Sequence, residues 1–238
     1  MNPRGVILVT DQCRHIFRPK VIHICVHHDG TQKDYFVDQH PLLSRSPFFK
    51  AATSTQNTTS APPIVHLRDV RPKTFDLYIN LIYTRNLAVK GPKEWHWLVR
   101  LYILAERLQD VHAKNAVIDG MFHYLREYVP VFSFTPVAKD RGKVDAISIQ
   151  GLYEHTPENS PARRLVVDFY AQNGCAEWFQ EGREEFPRDF VMDVAIKLLQ
   201  KRSMSLFASA DNTISSECYH EKATEYSKKV DADVKVEV

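Results

Sequence analysis

A short stretch that turns back on itself constrains the fold of this chain most strongly. In VIHICV (21–26) apolar residues alternate as in a strand, and the residues between them are also mostly apolar. Asp29 and Gly30 then supply the positive φ angles that a tight hairpin turn needs. The segment KDYFVD (33–38) returns as the partner strand. We therefore expect a β-hairpin whose first strand is buried on both sides.

The hairpin is followed at once by a helical segment, QHPLLSRSPFF (39–49). Proline is tolerated in a first helical turn, so Pro41 fits the start of a helix. Ser46 can cap a further turn that begins at SPFF. A polar segment (52–63) is predicted to be a flexible loop, and it leads to a third short strand, IVHL (64–67).

Amphipathic helices occupy the next part of the chain, from 69 to 128. Their apolar residues recur at helical spacing, beginning with Phe75, Tyr78, Ile79 and Ile82. In the helix that follows, we expect Trp97 to lie in the core and Trp95 to be partly exposed. A small β-sheet flanked by a cluster of helices is predicted, and the fold class is α+β.

The rest of the chain is predicted to be a linker (129–161), a helical extension (162–202) and a polar, poorly ordered tail (203–238). The linker contains at most one short element, AISIQGLY (146–153). The last helix is expected to have one broad apolar face, formed by Phe190, Val191, Val194, Ala195, Leu198 and Leu199.

Charge and apolar content exclude several classes of function. The net charge of +2 is too small and too evenly spread for nucleic-acid binding, and ARRL (162–165) is interpreted as a solvated helix start. No apolar run approaches the ~20 residues of a membrane span. The apolar run at 6–9 is too short for a secretory signal. The four scattered cysteines are interpreted as free thiols, so we expect an intracellular protein, cytoplasmic and/or nuclear.

No group of residues indicates an enzyme, a cofactor or a metal ion. The glycines form no dinucleotide or phosphate loop, and there is no GxSxG nucleophile motif. His27, His28 and Asp29 carry metal-binding atoms, but adjacent strand residues point to opposite faces, so a turn is favoured. His40 lies close to Asp38, but side chains two residues apart on a strand share a face without being paired, so the two residues do not indicate a catalytic base. A non-enzymatic protein is expected.

Four motifs, in this order, resemble the BTB/POZ domain. They are FVDQHPLLSRSPFF (36–49), VHLRDV (65–70), PKTFDLYINLIYT (72–84) and LYILAERLQDV (101–111). The signature positions of the resemblance are Phe36, His40, Leu42, Leu43, Ser46, Phe49 and Asp69. The first motif is similar to the family's aromatic-x-x-x-His element followed by a helix with Leu, Ser and Phe at fixed spacing.

The resemblance implies a BTB/POZ fold over 18–128, and 162–202 resembles the helical extension of many fungal BTB proteins. The function it implies is binding of a protein partner, either a second copy in a homo-oligomer or a different chain. The surfaces implied are the first strand and the helices around SPFF and LIYT. Phe48 and Tyr83 are the candidate partner contacts. We expect Phe48 to face outward, and His40 and Phe49 to face inward.

Two alternatives stay open. The first is a cullin-3 ubiquitin ligase substrate adaptor with the C-terminal helices as client module, although 51–63 lack the acidic residue that such adaptors often carry there. The second is a transcription-associated regulator that touches DNA through the ARR segment. A domain-swapped dimer is not expected, because it needs a long helix and strand before the first core strand and only 19 residues precede Lys20.

Overall fold

A three-stranded sheet organises the N-terminal part of the molecule. The structure is a computed structural model and describes residues 20–54, 62–89, 91, 94–128, 144–181, 186–205 and 215–222. The strands are β1 (Val21–His28), β2 (Thr31–Asp38) and β3 (Ile64–Arg68). β1 lies in the middle, antiparallel to β2 and parallel to β3. The predicted hairpin and third strand are confirmed.

The turn between β1 and β2 has the backbone that its two residues favour. Asp29 has a φ of 47° and Gly30 a φ of 73°, and both angles are left-handed. This combination matches the right-handed twist of the strands it joins. It pairs His28 with Thr31 and so sets the register of the whole hairpin.

Helices account for most of the remaining described residues. They are α1 (Gln39–Arg45), α2 (Pro47–Ser54), α3 (Pro72–Thr84), α4 (Trp95–Arg107), α5 (Val111–Tyr128), α6 (Ala146–His155), α7 (Pro161–Asn173), α8 (Ala176–Glu181) and α9 (Arg188–Ser205), with a 3-10 helix at Ser216–Tyr219. The α+β prediction is confirmed. No helix in the described part of the chain is long and apolar enough to cross a lipid bilayer.

One face of the sheet, the inner face, lies in the core. Its most deeply buried side chains are at most 5% exposed and are those of Ile22, Ile24, Val26, Val37, Val65 and Leu67. They join Leu42, Phe49 and Phe75 from the surrounding helices in a single apolar cluster. Burial of each such side chain contributes about 1.5–3 kcal/mol to stability.

The junction between α1 and α2 is built as its capping signals predict. The Ser46 hydroxyl is fully buried, donates to the carbonyl of Leu108 at 2.6 Å and accepts the Phe49 N–H at 3.3 Å. Phe49 is fully buried, as expected. His40 is exposed, so the prediction that it faces inward is wrong. It lies in the first turn of α1, where its backbone N–H donates to Asp38 at 3.1 Å.

Asp69 forms a turn and does not cap the helix that follows. Its φ of 59° places it in the left-handed region, which aspartate tolerates better than most residues. The helix α3 begins two residues after Val70, with Arg71 at its N-cap position and Pro72 in its first turn.

The two tryptophans of α4 have the opposite burial to that predicted. Trp95 is 4% exposed, and its ring lies 5.4 Å from that of Tyr124 on α5. Trp97 is only partly buried, and the Lys73 Nζ lies 4.2 Å from its ring centre. The prediction was wrong because apolar spacing shows only which residues share a face of α4. The position of α5 decides which of these residues are covered, and it covers Trp95.

The predicted linker and helical extension pack against the sheet-bearing part of the molecule. Helix α6 packs on α4, α7 packs on α5, and their buried residues belong to the same apolar cluster as the sheet. Arg163 is 7% exposed, so the prediction of a solvated helix start is wrong at this residue. Its guanidinium donates to Thr156 Oγ1 at 3.0 Å and to the carbonyls of Tyr153 and Thr156.

Helix α9 buries a narrower face than predicted. Phe190 and Val194 are at most 2% exposed and pack towards α7. The other members of the predicted apolar face are exposed, and they are Val191, Ala195, Leu198 and Leu199. Only one side of α9 contacts the rest of the described molecule. The apolar residues that lie outside this side are therefore exposed to solvent.

Part of the predicted polar tail is packed against the helices. Tyr219 is 4% exposed, and its hydroxyl donates to Asp168 on α7 at 2.8 Å. The side chain of Asn115 on α5 exchanges two hydrogen bonds with the backbone of Glu221, at 2.9 and 3.0 Å. The rest of the tail, 206–214 and 223–238, lies outside the described residues.

Candidate functional site

The face of the sheet opposite the core, here called the outer face, is open to solvent. The prediction that β1 is buried on both sides is therefore wrong, because His23 and His27 are partly exposed. On this face Phe36 is 66% exposed and Ile64 is 44% exposed. Cys25 alone among the outer-face residues of β1 is buried, at 3%.

An exposed apolar row crosses all three strands of the outer face. His23 on β1 lies opposite Phe36 on β2 and opposite Ile64 on β3. The His23 and Phe36 rings are stacked, with centres 4.6 Å apart and planes 15° apart. The row therefore crosses the width of the sheet, with its two most exposed side chains, Phe36 and Ile64, on the outer strands and His23 between them on the central strand.

A polar row lies next to it, centred on Cys25. Asp34 on β2 and His66 on β3 are the strand neighbours of Cys25. Asp34 Oδ1 lies 3.0 Å from His23 Nε2 and accepts from Gln32 Nε2 at 2.8 Å. The Gln32 amide, followed by Cys25 and His23, lowers the pKa of the Asp34 carboxyl. Burial, followed by Asp34, raises the pKa of the Cys25 thiol.

A pair of histidines completes the outer face. His27 Nε2 and His66 Nδ1 lie 3.1 Å apart, so the ring N–H of one donates to the other. His28 points elsewhere, with its Nε2 3.0 Å from the Asp29 carboxylate. His27 and His28 thus have different partners, as the alternation of a strand requires.

Tyr83 lies beside the end of β2. Its side chain is 52% exposed, and its hydroxyl accepts the backbone N–H of Asp38 at 3.2 Å. Helix α3 is also tied to β2 through Asp76, which accepts from the Tyr35 hydroxyl at 2.8 Å and from Lys33 Nζ at 3.0 Å. This carboxylate is the first cause of a raised pKa for Lys33.

Phe48 is less exposed than predicted. It is half-buried and packs against the core, with its ring edge-on to that of Phe49 at 5.5 Å. Of the two predicted partner contacts, Tyr83 is the more accessible. Leu42 is fully buried and Leu43 is partly buried, as expected for their positions in α1.

Sequence reasoning placed Phe36 among structural positions and did not single out Ile64. The available signal was strand parity. Phe36 precedes Val37, which faces the core, so Phe36 must point to the opposite face.

The comparisons with known proteins agree with this architecture. Residues 23–121 match the family described as BTB/POZ domain. The matched region begins in β1, ends in α5 and includes the whole of β2 and β3. None of the curated proteins compared with the chain matches it.

Proposed function

Because residues 23–121 form a BTB/POZ domain, generally a protein–protein interaction module, we propose that the outer face of the sheet binds another protein chain. The occupant proposed is a second copy of this chain. The observation that carries the proposal is the row formed by Phe36, His23 and Ile64, which crosses all three strands and leaves Phe36 and Ile64 exposed.

The character of the outer face supports this role. Exposed aromatic side chains are typical anchors of protein interfaces, and Phe36 is already held in one orientation by its stack on His23. The outer face carries charges of both signs, with Asp34 and Asp38 on β2 and Arg68 at the far end of β3. A face with mixed charge can pair with its own copy without strong repulsion.

Light scattering over a concentration series tests the proposal. We expect the mass of the purified full chain to rise from 27.5 kDa towards twice that value. The Phe36→Ser variant should shift this rise to higher concentration. Leu199→Ser on α9 is the matched control, because Leu199 is 65% exposed and Phe36 66%, on different surfaces. A wild-type chain that stays monomeric throughout contradicts self-association.

A cullin-3 substrate adaptor is the second candidate, favoured by the exposure of Tyr83 on α3. Titration of purified cullin-3 onto the full chain tests it, and Tyr83→Ala should weaken the binding. Phe48→Ala is a less clean test, because Phe48 also packs against Phe49. Absence of cullin-3 binding by the wild-type chain removes this candidate.

DNA contact through the ARR segment loses its main support. Arg163 is buried and donates to backbone carbonyls, which leaves Arg164 as the exposed arginine of the segment. One exposed arginine is a small part of the basic surface that nucleic-acid binding requires.

The remaining parts of the proposal concern enzymatic activity and the cellular compartment. We expect a non-enzymatic protein that is intracellular, cytoplasmic and/or nuclear. The free thiols of Cys25, Cys175 and Cys218 support a reducing compartment. The likeness of the C-terminal helices to the extension of fungal BTB proteins stays a prediction.

A further inference from the structure

Three side chains that commonly bind metal ions meet on the outer face of the sheet. They are His23 and Cys25 on β1 and Asp34 on β2. Each offers one ligand atom, and these atoms all lie within 4.8 Å of one another. This group differs from the one for which the sequence favoured a turn. That group lies nearer the hairpin turn and consists of His27, His28 and Asp29.

The hairpin itself brings the three residues together. His23 and Cys25 are two apart on β1, so their side chains project from the same face. The two-residue turn pairs Cys25 directly with Asp34 across the strands. Asp34 therefore lies diagonally next to His23, and the cluster is set by backbone register rather than by a mobile loop.

The distances suit a tetrahedral ion. His23 Nε2 lies 3.0 Å from Asp34 Oδ1 and 3.4 Å from Cys25 Sγ. Zinc bonds of about 2.0–2.3 Å at tetrahedral angles separate neighbouring ligand atoms by about 3.3–3.7 Å. The third pair, Cys25 Sγ and an Asp34 carboxylate oxygen, lies within 4.8 Å, so side-chain adjustments of up to about 1 Å would bring the three atoms to that spacing.

We propose that His23, Cys25 and Asp34 form a binding site for one divalent transition-metal ion of the zinc type. The combination of thiolate, imidazole and carboxylate favours such an ion over Mg²⁺ or Ca²⁺, which prefer oxygen ligands alone. Three protein ligands leave a fourth position for water or another donor. The site goes beyond the proposed protein binding and does not depend on it, because one chain supplies all three ligands.

The surroundings of the site favour an ordered ligand set. Stacking on Phe36 fixes the plane of the His23 ring, and Cys25 is 3% exposed, so its sulfur is shielded from solvent. Asp34 is 45% exposed at its side chain, which leaves an approach for the ion. Gln32 holds the Asp34 carboxylate at 2.8 Å.

Binding is coupled to a proton at Cys25. The ion bonds to the thiolate, and the proton leaves to solvent as the metal–sulfur bond forms.

Titration of Co²⁺ into the metal-stripped full chain tests the site. We expect one equivalent to bind with a thiolate-to-cobalt charge-transfer absorption, and Zn²⁺ to displace it. Cys25→Ser should abolish the charge-transfer band. Asp34→Asn, at an exposed position, should weaken binding about tenfold or more, since even outer-shell partners of a metal site contribute that much.

The matched control is the Cys175→Ser/Cys218→Ser double variant, which removes the two exposed thiols of the part of the chain that the structure describes. It should bind Co²⁺ as the wild type does. The proposal is overturned if the wild type binds no ion at micromolar concentration, if the band survives in Cys25→Ser, or if Asp34→Asn binds with unchanged affinity.

Discussion

The two faces of the sheet share one central strand and have opposite character. On the inner face Ile22, Ile24 and Val26 are fully buried. On the outer face, His23 and Cys25 alternate with them and His27 follows, and all three pair with polar or exposed residues of β2 and β3. The inner face accounts for stability, whereas the outer face is available for recognition. Neighbouring residues of β1 point to opposite faces of the sheet, so one is buried in the core while the next lies on the outer face.

The largest expected effect separates the two faces by a matched substitution. Ile24→Ala on the inner face should lower the free energy of unfolding by about 3–5 kcal/mol, because it leaves a cavity in the core. Ile64→Ala on the outer face should cost less than about 1 kcal/mol. Denaturant unfolding of both variants measures the difference. Equal losses would show that the outer face is also part of the core.

A second contrast concerns two carboxylates. Asp110 is fully buried and accepts from the Tyr78 hydroxyl at 3.0 Å, from Arg45 Nε at 3.1 Å and from the Ala113 N–H at 2.9 Å. Asp110→Asn should cost about 2–3 kcal/mol, because buried partners lose an acceptor. Asp76→Asn removes the exposed pair with Lys33 and should cost less than about 1 kcal/mol.

The same unfolding measurement checks this contrast. Asp76 bridges β2 to α3 at the surface, so water can replace it as a partner of Lys33. If Asp76→Asn were as destabilising as Asp110→Asn, the contrast between the buried and the exposed carboxylate would be incorrect.

The smallest expected effect is the pH dependence that Asp34 contributes. Its pKa is lowered in the folded state, chiefly by the Gln32 amide, so its contribution to stability is present above the unfolded value of 3.8 and is lost as the pH falls through the folded pKa. With chelator present, wild type and Asp34→Asn should differ slightly at pH 6. The difference should close as the pH falls through the lowered folded pKa. A difference that persists there would point to a cause other than ionisation.

Local signals in the sequence were sufficient for much of the fold. The Asp29 and Gly30 turn predicted the hairpin, and the Ser46 cap predicted the break between α1 and α2. Both depend on residues close in the chain, so no tertiary information is needed.

Predictions that depended on tertiary neighbours were less successful. Three wrong predictions depended on elements distant in the sequence or on the direction of a helix. They concern the burial of Trp95, the exposure of His40 and the carbonyl contacts of Arg163. A periodic pattern shows which residues share a face, but it does not show what covers that face.

The cluster of His23, Cys25 and Asp34 on the outer face can be predicted from the sequence only if the register of the hairpin is also predicted. The turn at 29–30 pairs residue 28 with 31, and therefore Cys25 with Asp34. This register places Asp34 directly opposite Cys25 and diagonally next to His23. The parallel pairing that adds Ile64 and His66 needs the third strand, whose position the sequence does not define.

Hydroxyl-radical footprinting of the full chain at increasing concentration tests whether the outer face of the sheet is the surface that binds a second copy. If the outer face binds a second copy, oxidation of Phe36 should fall as the mass rises, while oxidation of Leu199 on α9 stays constant. Doubling of the mass with Phe36 still fully oxidised would contradict the account, because association would then use a surface other than the outer face of the sheet.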